Sequence, residues 1–189
     1  AEAKILIDLG NEASIREMIN EISIEASLTF KKNDPEIKIS FERSEDVIND
    51  VGLVFAKDFS QKIINTILAL PHGVVEMSQD IPNLVETSTN LATVTEDEEE
   101  LRIGTCQRSS IDIAKLNIAQ TVKAVLELAE AKIETVDGYP GWQPNMDSKL
   151  LKLSVAVFEN IFSKKPGLKA VHAGLECGLL GGVYPKWDM

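Results

Sequence analysis

Cysteine, histidine and basic residues are all scarce in this 189-residue chain. The two cysteines, Cys106 and Cys177, are too few for a disulfide framework, and this fits a reducing cytoplasm. There are 19 lysines and arginines against 30 aspartates and glutamates, so the formal net charge is −11. An acidic balance of this size disfavours nucleic acid and anionic membranes as partners.

Long apolar runs are absent as well. No run approaches the ~20 residues that a membrane-spanning helix needs, and no signal, transit or lipidation motif is visible. Apolar residues nevertheless make up 44% of the chain, which is enough for a core. The composition therefore predicts a soluble globular protein of one domain, or of one domain plus an appendage.

The shortage of histidine restricts metal chemistry. His72 and His172 are the only histidines, and neither belongs to a His-x-Asp or His-Glu-x-x-His motif. No cluster of carboxylates flanks them in a way that would close a zinc site. Cys177 follows His172 by five residues, but no orienting Asn or Asp accompanies them, so a cysteine hydrolase is disfavoured. We expect no metal ligand set and no catalytic residue within this chain.

Hydrophobic periodicity predicts a mixed fold up to about residue 137. The pattern is β-α-β-α, followed by a hairpin, a long helix and a further strand. It indicates an α+β sandwich in which a mainly antiparallel sheet carries helices on one face. The predicted elements are strands at 3–9, 36–42 and 132–136, helices at 12–28, 56–70 and 112–131, and hairpin arms at 84–95 and 100–110.

Two loops of small, rigid and polar residues stand out in the C-terminal part. They are Gly138-Tyr-Pro-Gly-Trp-Gln-Pro144 and His172-Ala-Gly-Leu-Glu-Cys-Gly178. An amphipathic helix at 147–162 and a short strand at 168–172 separate them. The second loop follows that strand, at the edge of an α/β sheet where ligands bind. We therefore predict a domain boundary near 137–146 and a strand-helix-strand excerpt of an α/β domain over 138–189.

These two loops, followed by Tyr184-Pro-Lys-Trp-Asp-Met189, closely resemble motifs of the aminoacyl-histidine dipeptidases. Those enzymes are co-catalytic zinc metallopeptidases that cleave small dipeptides such as β-alanyl-histidine. Upstream, Gly73-Val-Val75, Val85-Glu-Thr-Ser-Thr-Asn-Leu91 and Arg108-Ser-Ser-Ile-Asp112 fit the lid domain of the same family. The resemblance thus covers nearly the whole chain.

The resemblance implies how the chain is organised. Residues 1–137 would be the lid, a dimerisation-type domain, and 138–189 would be part of the catalytic domain. Two zinc ions would be bound by ligands outside this chain, and the partners would be a small dipeptide, the remainder of the catalytic domain and a second copy in a homodimer. Because the chain starts inside an apolar strand without an initiator Met, we expect it to be an inactive fragment of a cytoplasmic enzyme.

Arg108 is the main candidate for substrate binding. Its planar guanidinium suits the free carboxylate of a dipeptide, and the family's lid carries an arginine at the matching strand end. An arginine that is solvated or paired with one of the many acidic residues is the alternative. Asn90 likewise remains open between a pocket residue and a strand-edge residue.

Glu176 and Gly178 are the second candidates. Glycine lets a backbone approach a ligand closely, and the glutamate is suited to the ammonium group of a substrate. The alternative for Glu176 is a carboxylate in the first turn of a helix, stabilised by the helix dipole. His172 is interpreted as a strand-end histidine that packs, and Tyr139 and Trp142 either line a pocket or cover an interdomain joint.

Two functions follow from these observations. The first is a piece of a zinc dipeptidase that supplies lid and substrate contacts. The second is a non-catalytic α+β module for binding or dimerisation, because the chain carries no metal site of its own.

Overall fold

The structure is a computed structural model that describes residues 1–43, 54–97, 100–136, 138, 140–142, 145–168 and 176–189. Proximity of Cα atoms divides the chain into two compact units, Ala1–Lys57 and Asp58–Met189. This division does not test the predicted domain boundary near 137–146, which stays a prediction.

The first unit is built on one helix. A turn of 3-10 helix, Leu9–Asn11, leads into α1, Glu12–Phe30, which confirms the predicted helix at 12–28. Residues 37–43 run along α1 in irregular conformation: the Ile39 amide donates to Ser23 Oγ at 3.4 Å and Arg16 donates to the Phe41 carbonyl at 3.1 Å. The Arg16 guanidinium also lies 5.1 Å from the centre of the Phe41 ring.

The strands predicted at 3–9 and 36–42 are wrong. Both segments lack regular strand structure, and Ile5 and Leu6 are 60% and 66% exposed. A strand forms only where a neighbouring strand supplies hydrogen-bonding partners, and no described strand lies beside either segment. Alternation of apolar residues indicates which face a strand would bury. It does not identify the neighbouring strand with which it would form hydrogen bonds.

The second unit contains a three-stranded antiparallel sheet in the order β1-β2-β3. Its strands are β1, Gly73–Met77, β2, Val85–Glu96, and β3, Leu101–Ser109. The hairpin of β2 and β3 confirms the prediction. Strand β1 is not among the predicted elements, because Pro71-His-Gly73 at its start is a typical signal for the end of a helix. A register shift between Leu91 and Thr93 leaves Ala92 as the extra residue of a bulge.

Four helices are described from residue 57 onwards. They are α2, Lys57–Ala69, α3, Asp112–Leu128, α4, Lys149–Phe162, and α5, Glu176–Val183. The first three confirm predicted helices, and α5 was not predicted. Helix α3 lies against β3 and β2, and its Ile118 and Val122 are buried together with Leu70 at the end of α2.

The strand predicted at 132–136 is wrong, since these residues are irregular and Val136 is 94% exposed. Of the strand predicted at 168–172, only Leu168 lies inside the described residues. The mixture of helices with an antiparallel sheet confirms the α+β class. None of the helices in the described parts of the chain combines the length and apolar character of a membrane-spanning segment.

Candidate functional site

The end of β3, the loop residues Pro140–Trp142 and the start of α5 meet at one place in the second unit. A Cβ atom added to Gly141 would lie 2.6 Å from the Ser110 carbonyl oxygen and 2.8 Å from that of Ser109. A Cβ added to Gly178 would lie 2.9 Å from the Pro140 carbonyl oxygen. Both distances are shorter than side chains tolerate, so the two glycines permit backbone-to-backbone contact.

One carboxylate joins the loop to the helix after β3. Asp112, the first residue of α3, accepts a hydrogen bond from the Gly141 amide at 3.0 Å and one from Lys115 Nζ at 3.1 Å. The Gly141 amide, and after it the Lys115 ammonium group, hold the pKa of the Asp112 carboxyl below its ordinary value. Its position in the first turn of α3 also favours the charged form, because the N-terminus of a helix attracts negative charge.

Arg108 lies next to this junction. It pairs in register with Ser88, while Cys106 pairs with Asn90, so all four side chains belong to one face of the hairpin. Arg108, Asn90 and Cys106 are exposed. Among the described residues, no hydrogen bond or ion pair engages the Arg108 guanidinium, and this leaves its five donors accessible to an anion.

The opposite face of the hairpin is a buried polar network. Thr87 and Thr89 are only 1% and 2% exposed. The Thr87 hydroxyl bonds that of Ser109 at 2.9 Å, and Gln107 donates to Thr89 Oγ1 at 3.2 Å. Ser109 Oγ also accepts the Ile111 amide at 3.0 Å. These bonds fix the end of β3 and therefore the backbone that carries Arg108.

A groove of about 1890 Å³ runs along β3, and it is open to solvent. Its walls come from β3, α2, α3, the loop residues Pro140–Trp142 and α4. Arg108 and Ser109 line it, together with apolar side chains such as Phe59 and Leu116. The groove is large enough for a dipeptide, and its lining includes both charged and apolar residues.

A second carboxylate fixes the C-terminal motif to α4. Asp188 Oδ2 accepts the Leu150 amide at 2.9 Å. Ser148 Oγ accepts the Leu151 amide at 3.0 Å. Two of the first three amides of α4 are thus satisfied by two side chains.

This double cap predicts a pH-dependent contribution to stability. The Ser148 hydroxyl and then the Leu150 amide lower the pKa of Asp188 below its ordinary value of 3.8. The contribution is therefore present above that ordinary value and is lost as the pH falls through the lowered one. We expect Asp188→Asn to lower the melting temperature at about pH 6, and the difference from wild type to shrink towards about pH 3.

Asp147→Asn is the matched control for Asp188. Asp147 is a neighbouring carboxylate that is 96% exposed and pairs with Lys152 Nζ at 3.0 Å. A pair at that exposure contributes little. Melting curves of the two variants across the same pH range measure the difference. An Asp188→Asn effect that is no larger than that of Asp147→Asn contradicts the capping role.

Comparison with known proteins finds two similar dipeptidases. No protein-family model matches the sequence. The cytosol non-specific dipeptidase of Escherichia coli is 36% identical over 145 residues, which are 77% of this chain and 30% of that protein. The crystal structure of aminoacylhistidine dipeptidase from Vibrio alginolyticus superposes with a TM-score of 0.87 at 32% identity, over 97% of this chain and 36% of that one. The chain is homologous to these two dipeptidases. It spans about a third of the length of these relatives.

The structure of this dipeptidase homologue brings together most of the predicted site. Arg108, the described residues of the first loop and Gly178 lie around one junction. Glu176 is exposed and is the first residue of α5, which is the position that the helix-dipole alternative requires. His172 and Tyr139 lie outside the described residues.

Gly178 has a packing reason to be glycine. It is buried, and the nearest backbone is the Pro140 carbonyl rather than an open cavity. Its role in substrate binding stays a prediction. His72, which was given no role, is exposed and accepts the Leu91 amide at 3.0 Å through Nδ1.

The described residues do not fit a zinc site. Among them, no group of three or more histidine, cysteine or acidic side chains is placed to hold a metal ion.

Sequence reasoning missed Asp112 and Asp188 as anchors. The available signal was their position: Asp112 begins the helix that follows β3, and Asp188 is the lone carboxylate in the C-terminal Tyr-Pro-Lys-Trp-Asp motif.

Proposed function

We propose that this chain is part of a cytoplasmic dipeptidase that hydrolyses Xaa-His dipeptides, and that it supplies lid and substrate contacts. The homology to two dipeptidases supports the reaction class. The structural relative is an aminoacylhistidine dipeptidase, and this supports a histidine residue at the C-terminal position of the substrate. The E. coli relative is called non-specific. We therefore propose a preference for histidine and not an absolute requirement.

The observation that carries this proposal is the free guanidinium of Arg108 at the rim of the groove. A dipeptide ends in a carboxylate, and arginine binds a carboxylate through two parallel hydrogen bonds. The chain is strongly acidic, so an arginine without an acidic partner among the described residues is an unusual local feature. Asn90 lies diagonally across the same face and is available as a second polar contact.

Glu176 has the complementary role in the proposal. The other end of a dipeptide is an ammonium group, and Glu176 provides an exposed carboxylate near the same junction, through Gly178 and Pro140. Arg108 and Glu176 would then select opposite ends of a short zwitterionic substrate. A longer peptide has no free carboxylate at the position that Arg108 would bind, and this would restrict the enzyme to dipeptides.

Zinc belongs to the proposal but not to this part of the chain. Two zinc ions would be held by residues outside the chain, where they would activate water for attack on the peptide carbonyl. The chain's own residues would bind and orient the substrate. We also propose a homodimer, and this proposal rests on the family resemblance alone.

The test compares the chain with the full-length protein that carries it. Both are assayed for hydrolysis of β-alanyl-histidine and of a second Xaa-His dipeptide, with zinc, with manganese and with a chelator. We expect metal-dependent hydrolysis by the full-length protein and none by residues 1–189 alone. Activity of the isolated chain contradicts the placement of the metal ligands. Failure of both to cleave dipeptides overturns the proposed function and favours a non-catalytic binding or dimerisation module.

A further inference from the structure

The hydrogen bond between Asp112 and Gly141 joins residues that are 29 positions apart. Its two ends belong to different parts of the proposed site. Asp112 follows the strand that carries Arg108, and Gly141 belongs to the loop residues Pro140–Trp142. A contact of this kind sets the distance between two segments that the chain itself does not hold together.

Packing makes this contact restrictive. Gly141 lies so close to the Ser109 and Ser110 carbonyls that no side chain fits between them. The neighbouring Pro140 carbonyl oxygen would lie 2.9 Å from a Cβ atom added to Gly178, near the start of α5. The loop therefore contacts both the end of β3 and α5. The Asp112 carboxylate fixes the position of the Gly141 amide relative to the end of β3.

Arg108 is coupled to the same contact. It precedes Ser109 and Ser110 directly, and the Thr87–Ser109 hydroxyl pair fixes this backbone from the other face of the hairpin. If the loop moves away, the Ser109 and Ser110 carbonyls lose the backbone that packs on them, and the strand end gains freedom.

We propose that Asp112 is a positioning residue: by binding the Gly141 amide, it holds the loop residues Pro140–Trp142 against the end of β3 and so fixes the direction of Arg108. This inference rests on the proposed function, because Asp112 can act on catalysis only if Arg108 binds the substrate. Asp112 itself touches no substrate in this arrangement. It acts through the backbone on either side of the junction.

The first test needs no catalytic activity. Hydrogen exchange is measured by mass spectrometry in the full-length protein for wild type, Asp112→Ala, Asp112→Asn and Glu127→Ala. Glu127 is the control: it is an exposed carboxylate on the same helix that pairs with Lys123 at 3.6 Å. We expect Asp112→Ala to speed exchange in peptides that cover both the loop and the end of β3, and Glu127→Ala to leave both unchanged.

Asp112→Asn keeps an oxygen acceptor for the Gly141 amide and loses the charge. It should therefore retain most of the protection and also serve if the alanine variant fails to fold. Faster exchange in the loop alone, or no change in either segment, overturns the proposal. So does equal loss of protection in the asparagine and alanine variants.

The second test is a double-mutant cycle with Arg108→Ala, measured on a Xaa-His dipeptide. We expect Asp112→Ala to lower kcat/KM about tenfold, mainly through KM, when Arg108 is present, and less than about twofold when it is absent. Equal losses in both backgrounds overturn the proposal. If wild type cleaves no dipeptide, the proposed function fails, and the exchange measurement alone decides whether Asp112 fixes the strand end.

Discussion

Arg108→Ala should lower kcat/KM for a Xaa-His dipeptide about 100-fold in the full-length protein, mostly through a higher KM. The loss is large because a carboxylate that has left water in the groove would have no cation to replace its hydration. Arg108 is the arginine that the described structure leaves without a partner at this rim. Steady-state kinetics over a range of substrate concentrations measures the effect.

Arg108→Lys separates charge from geometry. Lysine keeps the positive charge but cannot form the two parallel hydrogen bonds of a guanidinium. We expect this variant to fall between wild type and Arg108→Ala. A dipeptide amide, which lacks the carboxylate, should be a poor substrate that responds little to either variant.

Arg102→Ala is the matched control for Arg108. Arg102 lies on the same strand at its other end, is exposed, and already pairs with Asp97 at 3.0 Å and with Glu100 at 2.5 Å. Its removal should leave kcat/KM within about twofold of wild type. If Arg108→Ala behaves like Arg102→Ala, then Arg108 is a solvated strand-end arginine and the substrate site lies elsewhere.

Helices and the hairpin were predictable because their signals are local. Spacing of apolar residues at one face predicted α1 to α4, and two alternating segments around an acidic turn predicted β2 and β3. The α+β class followed from them. What failed was strand formation at 3–9, 36–42 and 132–136, because pairing depends on a second segment that periodicity does not identify.

Two short elements escaped prediction for a different reason. The segment that forms β1 begins at Pro71-His-Gly73, which indicates the end of a helix and gives no sign of a strand. Helix α5 contains Gly178, Gly181 and Gly182, and glycine is among the poorest helix formers. In both cases tertiary contacts decide the outcome: β1 pairs with β2, and Gly178 packs on Pro140.

The candidate site was only half predictable. The two loops and Arg108 were found from residue types that a core does not need. The convergence of Gly141 with Ser109 and Ser110, and the anchoring by Asp112, depend on contacts across about 30 residues of sequence that no local pattern reports. The same applies to Asp188, which caps a helix 38 positions away.

Gly141→Ala should destabilise the protein by about 2 kcal/mol, because its new methyl group would overlap backbone atoms rather than a flexible side chain. The Cβ would lie 2.6 Å from the Ser110 carbonyl oxygen. To relieve this overlap the loop must move outwards, and that movement stretches the hydrogen bond from the Gly141 amide to Asp112. The melting temperature should fall by about 5 °C.

Gly138→Ala provides the control within the same loop. An added Cβ there meets nothing within 4 Å, so the variant should melt within about 1 °C of wild type. Within α5, Gly178→Ala and Gly181→Ala form a second pair: the first would place its Cβ 2.9 Å from the Pro140 carbonyl oxygen, and the second would make an ordinary contact of 3.5 Å with Met189. Gly181→Ala should be neutral or stabilising, since alanine favours a helix by up to about 1 kcal/mol over glycine.

Equal melting temperatures for Gly141→Ala and Gly138→Ala would mean that the loop does not rest on the end of β3. The kinetic consequence follows from the same contact. If the loop positions the strand end, Gly141→Ala should raise KM for a Xaa-His dipeptide in the same direction as Asp112→Ala, although it removes neither a charge nor a side chain. Gly138→Ala should leave KM unchanged, because its methyl group projects into open space.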